Sequence, residues 1–183
     1  MSDLLPLPGM DIERPAVRVV EHGGVPVKIE VVRSVRRHRT VAARPVGGVL
    51  RISIPAAMSV RQEDRWVREM VKRHVRSLAS STIDLEERAG TLSRRYQLPI
   101  ATSVRWTEMD SLWGSCTMDD GSIRISSRVA SFPSWVLDYL LVHELAHLVV
   151  GDHSPAFWAV VNRYPKTERA RGYLIAKSTD EDD

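Results

Sequence analysis

The chain of 183 residues is long enough to bury a hydrophobic core, and its 43% apolar content is ordinary for a globular protein. Its single cysteine, Cys116, excludes an internal disulfide framework and fits a reducing compartment. No apolar run is long enough for a membrane span, and the acidic, proline-broken N-terminus does not resemble a signal peptide. We therefore expect a cytoplasmic protein that has no membrane partner.

The net charge of +3 is unevenly distributed along the chain. Residues 28–51 contain seven Lys and Arg residues and one acidic residue, Glu30, whereas residues 180–183 are all acidic. A basic stretch of this kind could attract a nucleotide or a nucleic acid. We favour the simpler interpretation, a solvated face of a sheet, so that binding of nucleic acid is allowed by the sequence but not favoured.

The N-terminal part of the chain predicts a loose arm followed by strands. Prolines and a glycine pair interrupt residues 1–24, which predicts a flexible N-terminal arm. Apolar and polar residues alternate over residues 25–32, as in a half-buried strand. Residues 41–44 and 49–54 predict two further strands that are joined by a hairpin turn. We expect these N-terminal strands to be antiparallel.

Two helices and two strands are predicted next. Ser59, with Gln62 three residues later, forms a capping-box signal at the start of a helix. One face of that helix is apolar except for His74, which we interpret as a packed side chain rather than a ligand. A second helix is predicted over residues 83–96. Strands are predicted over residues 102–106 and 122–127.

The most informative stretch is H-E-x-x-H at residues 143–147. On a helix, residues four apart share a face, so His143 and His147 can direct both imidazoles at one metal ion. Glu144 lies beside that face, where it can accept a proton from a metal-bound water. Almost every other residue from 135 to 150 is apolar, which predicts a helix buried in the core.

A third ligand follows this helix. Gly151 predicts a helix stop, after which the chain can turn and bring His153 back to the same metal ion. Three protein ligands and one open position are typical of a catalytic zinc rather than a structural one. We therefore predict one zinc ion per chain, bound by His143, His147 and His153. The alternative is a pair of core histidines with a salt-bridged Glu144 and no metal.

The C-terminal part of the chain predicts two helices and a tail. Ser154 can cap a helix whose first turn contains Pro155, and residues 166–177 predict a last helix. Residues 178–183, of which the last four are acidic, predict a disordered tail. The patterns as a whole predict an α+β fold with a single domain over residues 25–177, in which the metal-binding helix is buried.

A set of short motifs, taken in chain order, carries a family resemblance. The motifs are Trp113-Gly114-Ser115-Cys116, Gly121 with residues 123–126, Pro133, Asp138-Tyr139, His143-Glu144-Leu145-Ala146-His147, His153-Ser154 and Phe157-Trp158. Together they resemble the YgjP-like metallopeptidase family, a zincin-like group related to SprT-like proteins. The resemblance implies a zincin-like α+β fold, with His143, His147 and His153 as metal ligands and Glu144 as the catalytic base.

Two residues depart from the family's pattern. Leu112 stands where the family usually has Arg before W-G-S-C, so a substrate contact by that Arg is not transferred to this chain. Asp152 stands where Asn usually precedes the third histidine. Its carboxylate could accept a hydrogen bond from a ligand histidine, or it could cap the helix that follows. The sequence leaves these two roles of Asp152 open.

The W-G-S-C segment has two interpretations. Trp113, Gly114 and Ser115 could form a strand edge that holds an extended substrate through main-chain hydrogen bonds. Alternatively, Gly114 lets the backbone pass close to the metal helix while Trp113 and Cys116 pack in the core. Cys116 could also approach the metal, because thiolates bind zinc, but we favour core packing.

The predicted function is a zinc-dependent metallohydrolase, in the first place a metallopeptidase that acts on a peptide or protein. Glu144 would activate a zinc-bound water that attacks the substrate's carbonyl group. The first alternative is a nucleotide pyrophosphohydrolase in which the basic residues 28–51 hold phosphate. The second is a non-catalytic, zinc-containing nucleic-acid-binding module, which has no use for Glu144. The developing oxyanion also needs a donor. The candidates are Tyr139, Tyr164, Arg163 and Arg171.

Overall fold

The computed structural model describes residues 16–179, and the chain divides into two compact units. The first unit ends at Val75 and the second begins at Arg76. Each unit has its own cluster of buried apolar side chains. Within residues 25–177, where the sequence predicts one domain, the structure therefore contains two separate hydrophobic cores.

A four-stranded mixed sheet forms most of the first unit. Its strands are β1 (Val17–His22), β2 (Val25–Ser34), β3 (Ala42–Val46) and β4 (Val49–Pro55). Their spatial order is β1-β2-β4-β3, with β1 antiparallel to β2 and β3 antiparallel to β4. Both antiparallel pairs are joined by Gly-Gly turns in which each glycine has a positive φ, as a tight two-residue hairpin requires.

Two predictions for this unit are wrong. The predicted flexible arm is wrong from residue 17 onward, because Val17–His22 pairs along its whole length with β2; residues 1–15 lie outside the described chain. The predicted antiparallel arrangement holds for the hairpin but not for β2 and β4, which pair in parallel. After β2 the chain crosses to the edge of the sheet, and the hairpin then brings β4 back between β2 and β3.

Helix α1 (Val60–Ser81) packs on this sheet. The core that they share consists of Val27, Ile29, Leu50, Ile52, Ile54, Val67, Met70 and Val71. The predicted capping box is confirmed, since the Ser59 N–H donates to Gln62 Oε1 (3.2 Å) and the Gln62 N–H donates to Ser59 Oγ (3.3 Å). His74 is partly buried and lies outside the histidine cluster described below, as expected for a packed side chain.

The basic residues 28–51 are not a uniformly solvated face. Arg33 forms an ion pair with Glu63 on α1, and it also donates hydrogen bonds to two backbone carbonyl groups. Arg51 forms an ion pair with Glu30 across neighbouring strands. These two arginines therefore hold parts of the first unit together, although both side chains remain partly exposed.

The second unit combines a three-stranded sheet with helices, which confirms the predicted α+β composition. Its elements are α2 (Leu85–Tyr96), β5 (Ser103–Thr107), β6 (Gly114–Thr117), β7 (Ser122–Ser126), a 3₁₀-helix (Ser127–Ser131), α3 (Ser134–His147), α4 (Pro155–Val161) and α5 (Thr167–Thr179). The strand order is β5-β7-β6, with β5 parallel and β6 antiparallel to β7. Strand β6 therefore lies at an edge of this sheet.

Helix α3 lies at the centre of the second core. It contacts strands β6 and β7 and helices α2, α4 and α5, so nearly all of its sides are covered by other elements. This position explains why its sequence has no polar face and confirms the predicted buried helix. The predicted stop at Gly151 is wrong, because α3 ends at His147. The N–H groups of Val149 and Val150 both donate to the Ala146 carbonyl, which closes the helix earlier.

The C-terminal helices follow the sequence patterns closely. Helix α4 begins after Ser154 with Pro155 in its first turn, as predicted. Helix α5 continues to Thr179, so the predicted disordered tail is wrong for residues 178–179; residues 180–183 lie outside the described chain. No helix of the described residues is both long and apolar enough to cross a membrane.

Candidate metal centre

Three histidines converge at the C-terminal end of α3. His143 and His147 are one turn apart on the helix, and the following loop places His153 Nε2 at 3.2 Å from His143 Nε2. One ring nitrogen of each histidine lies within 4.8 Å of the other two. Two nitrogens that are about 2.1 Å from one tetrahedral zinc ion lie about 3.4 Å apart, so this arrangement fits a single shared cation.

The second ring nitrogens of the two helical histidines also have partners. Nδ1 of His147 lies 3.2 Å from the Val150 carbonyl oxygen, and Nδ1 of His143 lies 3.4 Å from the Tyr139 hydroxyl. A carbonyl oxygen only accepts hydrogen bonds, so Nδ1 of His147 carries the proton and its Nε2 lone pair is available to a metal. This role of Tyr139 was not predicted from the sequence, although its spacing of four residues from His143 places both on one helical face.

Two aromatic side chains of α4 form a wall of the histidine cluster. The ring of Phe157, which is fully buried, stacks on the ring of His147 with 4.4 Å between centroids. The ring of Trp158 lies 5.9 Å from that of His153 and 6.1 Å from that of His143. These ring contacts restrict how the imidazoles can turn.

Glu144 lies against strand β6. Its side chain is buried, and burial raises the pKa of its carboxyl group from 4.5 to about 7. A Cβ atom added to Gly114 would lie 2.6 Å from Glu144 Oε1, so only glycine allows the strand to pass this close. The interpretation that Gly114 admits the backbone near the metal helix is therefore confirmed. Burial is the sole cause of the pKa shift, which disfavours the alternative of a salt-bridged core carboxylate.

Burial shifts the pKa values of the two histidines of α3 downward, opposite to its effect on Glu144. It lowers the pKa of His143 from 6.5 to about 3, with a smaller effect from the neighbouring histidines, and it also lowers the pKa of His147. Both rings are therefore neutral at neutral pH, which is the form that binds a metal ion. The two imidazoles are therefore already in the metal-binding form before a cation binds.

The side chains of the W-G-S-C segment take part in packing and do not belong to the histidine cluster. The Trp113 ring lies under the Arg128 guanidinium at 4.0 Å, and Ser115 Oγ accepts a hydrogen bond from Arg124 (3.1 Å). Cys116 packs against the second core and lies outside the histidine cluster. Its pKa is raised to about 11, mainly by burial, so the thiol stays protonated and core packing is the better interpretation.

Asp152 lies at the entry to helix α4. Its carboxylate accepts a hydrogen bond from the Ser154 N–H at 3.3 Å. Of the two roles that the sequence left open, the structure therefore supports organisation of the helix start. The hydrogen-bond partners of His143 and His147 are instead Tyr139 and the Val150 carbonyl.

All four candidate oxyanion donors have partners within the chain. Tyr139 is buried beside His143, the Tyr164 hydroxyl donates to the Trp135 carbonyl (2.9 Å), and Arg163 donates to the Tyr96 carbonyl (3.1 Å). The fourth is Arg171, whose guanidinium lies 4.6 Å from the centre of the Trp158 ring. Its positive charge contributes to the lowered pKa of His143, so its field reaches the histidine cluster.

A mixed α+β chain that brings three histidines together beside a buried carboxyl group has the construction of a metal-dependent hydrolase. The family model described as a YgjP-like metallopeptidase domain matches residues 26–176. The chain belongs to the YgjP-like metallopeptidase family, as the sequence motifs indicated. The match covers parts of both compact units.

Two solved structures of metallopeptidase zymogens are similar to part of the chain. Abylysin of Pyrococcus abyssi is 20% identical with a TM-score of 0.47, over 51% of this chain and 94% of that chain. Jannalysin of Methanocaldococcus jannaschii is 17% identical with a TM-score of 0.46, over 52% of this chain and 97% of that chain. A search of curated proteins finds no match.

The contact between Gly114 and Glu144 can be tested by adding one methyl group. In Gly114→Ala the new carbon would overlap Glu144 Oε1, so the carboxylate must move. We expect the three histidines to retain a bound divalent metal ion and kcat/KM on a cleavable peptide to fall about a hundredfold, as a displacement of about 1 Å can cause. Gly90→Ala on α2, where the nearest contact is an ordinary 3.5 Å, is the matched control and should retain full activity.

The opposed pKa shifts of Glu144 and His143 predict two effects on the stability of the metal-free protein. Glu144 has a raised pKa, so its contribution is complete below pH 4.5 and is lost as pH rises through about 7. His143 has a lowered pKa, so its contribution is complete above pH 6.5 and is lost as pH falls toward about 3. Between pH 7 and pH 5 the two effects are about 2 kcal/mol each and oppose one another.

Urea unfolding of the metal-free protein at pH 7 and pH 5 would separate these effects. On acidification, the free energy of unfolding should fall by about 2 kcal/mol more in Glu144→Gln than in the wild type. In His143→Gln it should rise by about 2 kcal/mol relative to the wild type. Equal pH responses in all three proteins would show that burial does not shift these two groups.

Proposed function

We propose that this chain is a zinc-dependent peptidase in which His143, His147 and His153 hold one metal ion and Glu144 is the general base. The observation that carries the proposal is the convergence of three imidazoles, two of which burial keeps neutral, beside the buried carboxyl group of Glu144. Membership of a metallopeptidase family supports a peptide or protein as the substrate. Three nitrogen ligands favour zinc over magnesium.

The proposed chemistry divides between the metal ion and the chain. A bound zinc ion supplies Lewis acidity, which polarises the substrate's carbonyl group and makes a water molecule more acidic. Glu144 takes the proton from the attacking water, and its raised pKa suits a base that works near neutral pH. The carboxylic acid formed there can then return the proton to the leaving amine. Burial of Glu144 keeps its proton from exchanging freely with bulk water.

The edge of strand β6 is the proposed substrate-binding element. Residues 113–115 lead into and begin this strand, which pairs on one side with β7 and is the last strand of its sheet. Its outer backbone groups can pair with an extended peptide, while Gly114 holds the strand against Glu144. A peptide held there would be bound through the main chain, so its side-chain sequence would matter less than its extended shape.

Arg171 is the proposed stabiliser of the developing oxyanion. The Trp158 ring lies 4.6 Å from its guanidinium, 6.1 Å from the His143 ring and 5.9 Å from the His153 ring. One ion pair, to Glu168 at 2.8 Å, holds the Arg171 side chain on the same helix, and 41% of the side chain remains exposed. A cation fixed in this way can stabilise negative charge that forms on a bound carbonyl oxygen.

Hydrolysis of nucleotides is the alternative that a substrate screen has to test. It requires cations that hold phosphate, and residues 28–51 supply several. Two of these cations, Arg33 and Arg51, already form ion pairs within the first unit. This observation and the family membership both favour the peptidase. We also propose a cytoplasmic location, since the single cysteine fits a reducing compartment.

Two variants separate metal binding from chemistry. Glu144→Gln should retain stoichiometric zinc but lose at least about a hundredfold in kcat on peptides, because a positioned base contributes that much. His153→Ala should lose zinc as well as activity. The measurements are metal analysis of the purified proteins and a screen of a peptide library and nucleoside triphosphates. Unchanged zinc in His153→Ala, or hydrolysis of triphosphates alone, would contradict the proposal.

A pair of arginines on helix α5 provides a matched test of the oxyanion donor. Arg171→Met should lower kcat about a hundredfold with little change in KM, as for removal of an oxyanion donor. Arg169→Met removes the same charge two residues away, where the guanidinium lies 4.7 Å from the Trp135 ring, and it should leave kcat unchanged. Equal effects of the two substitutions would show that Arg171 acts only through general charge or stability.

A further inference from the structure

The positive charge of the described chain is concentrated in the first unit. Residues 16–75 contain thirteen Lys and Arg and five Asp and Glu, a net charge of +8. Residues 76–179 contain twelve and eleven, a net charge of +1. Because the proposed catalytic residues all lie in the second unit, the proposed peptidase chemistry does not explain this excess. A concentration of one sign of charge attracts partners of the opposite sign.

Four of these cations form a ridge along helix α1. Arg61, Arg65, Arg68 and Lys72 are spaced by four, three and four residues, which places them on one face over three helical turns. Within the described residues, neither Arg61 nor Arg68 nor Lys72 forms an ion pair or a side-chain hydrogen bond, whereas the nearby Arg73 is paired with Glu69. Side-by-side cations without counter-charges repel one another, so this ridge suits an external anion.

The ridge forms one side of a groove between helix α1 and the β1 strand. The groove has a volume of about 540 Å³ and is lined by Val20, His22, Arg65, Trp66, Arg68 and Lys72, together with Glu21 and the paired residues Glu69 and Arg73. The Trp66 ring is partly exposed there, and the Arg65 guanidinium lies 6.0 Å from its centre. Trp66 also lines a second, smaller cavity, together with His38 and Arg39.

We propose that this groove, defined by Arg65, Trp66, Arg68 and Lys72, binds a single-stranded nucleic acid. A single strand presents a regular series of phosphates, which the ridge of cations can follow, and unpaired bases, which can stack on an aromatic ring. Eleven of the thirteen cations in residues 16–75 are arginines, whose planar guanidinium group binds phosphate through two parallel hydrogen bonds. The groove thus offers both contacts that a strand needs.

The form of the groove disfavours other polyanions. A duplex hides its bases in the stack, so Trp66 would contribute nothing to its binding. A membrane-binding helix needs a continuous apolar face beside its cations, but the apolar residues Val67, Met70 and Val71 of α1 are buried in the core. An acidic peptide would use the same cations without the stacking contact. The proposal does not depend on the metal centre, because all groove residues lie in the first unit.

Fluorescence anisotropy of the full chain with labelled 20-nucleotide DNA and RNA single strands tests the proposal. We expect binding that weakens with salt, with a slope of log K against log[salt] of about −2.8 for four phosphate contacts. Between 50 and 200 mM salt this slope corresponds to a loss of about fiftyfold in affinity. The same measurements with a 20-base-pair duplex should give about tenfold weaker binding, since its bases cannot stack on Trp66. Comparison of DNA with RNA shows which strand is preferred.

Two triple variants of equal charge change locate the binding. Arg65→Ala/Arg68→Ala/Lys72→Ala should reduce the slope by about 2, because each lost phosphate contact removes about 0.7. The control Arg94→Ala/Arg105→Ala/Lys166→Ala removes three exposed cations of the second unit, so it should bind like the wild type. Circular dichroism and peptide cleavage, which are expected to be unchanged in both proteins, show that each variant is folded. If the two triple variants lose the same affinity, net charge alone accounts for the binding and the proposal is wrong.

Substitutions of Trp66 test the stacking contact separately. Trp66→Leu should weaken single-strand binding about tenfold without changing the salt slope, and Trp66→Phe should restore most of the affinity. A labelled Glu-rich peptide of 20 residues tests the acidic-peptide alternative. If the peptide binds more tightly than the single strands, or if Trp66→Leu binds strands like the wild type, the groove is not a nucleic-acid site. Absence of strand binding at 50 mM salt would also overturn the proposal.

Discussion

The burial of a carboxylate and two imidazoles within an apolar helix is the constraint on which the second unit depends. Charged groups in such a place are costly, and here burial favours the neutral forms by raising the pKa of Glu144 to about 7 and lowering that of His143 to about 3. The neighbours then have to supply polar partners and a close fit. Tyr139 and the Val150 carbonyl contact the imidazoles, and Gly114 lets strand β6 approach the carboxylate.

The two units differ in what their charges do. In the second unit positive and negative charges nearly balance, and burial favours the neutral forms of Glu144 and His143. In the first unit the cations lie at the surface, where Arg33 binds the sheet to α1 and others, such as Arg61 and Arg68, form no ion pair within residues 16–179. Exposed charges contribute little to stability, so cations retained without partners are better explained by binding than by folding. The chain thus provides a region suited to chemistry and another suited to attraction of an anion.

Much of the candidate site could be predicted from the sequence because its signals are local. The spacing of His143 and His147 places them on one face of a helix, with Glu144 beside it. Because apolar residues occupy all sides of that helix, it is expected to be buried. The capping box at Ser59 and the Gly-Gly hairpin before β4 are likewise local patterns, and both are present. Such patterns suffice where a structure is determined by neighbours within a few residues of one another.

The remaining features were decided by contacts between distant parts of the chain. Alternation identifies a strand but not its partner, so only the tertiary structure shows that β1 joins the sheet and that β2 and β4 are parallel. The end of α3 at His147 likewise follows from contacts in the loop after the helix rather than from Gly151. The sequence by itself determined which residues could bind a metal. Only the folded chain determined that Gly114 meets Glu144 and that α1 presents a groove of cations, because packing between elements has no signature in local spacing.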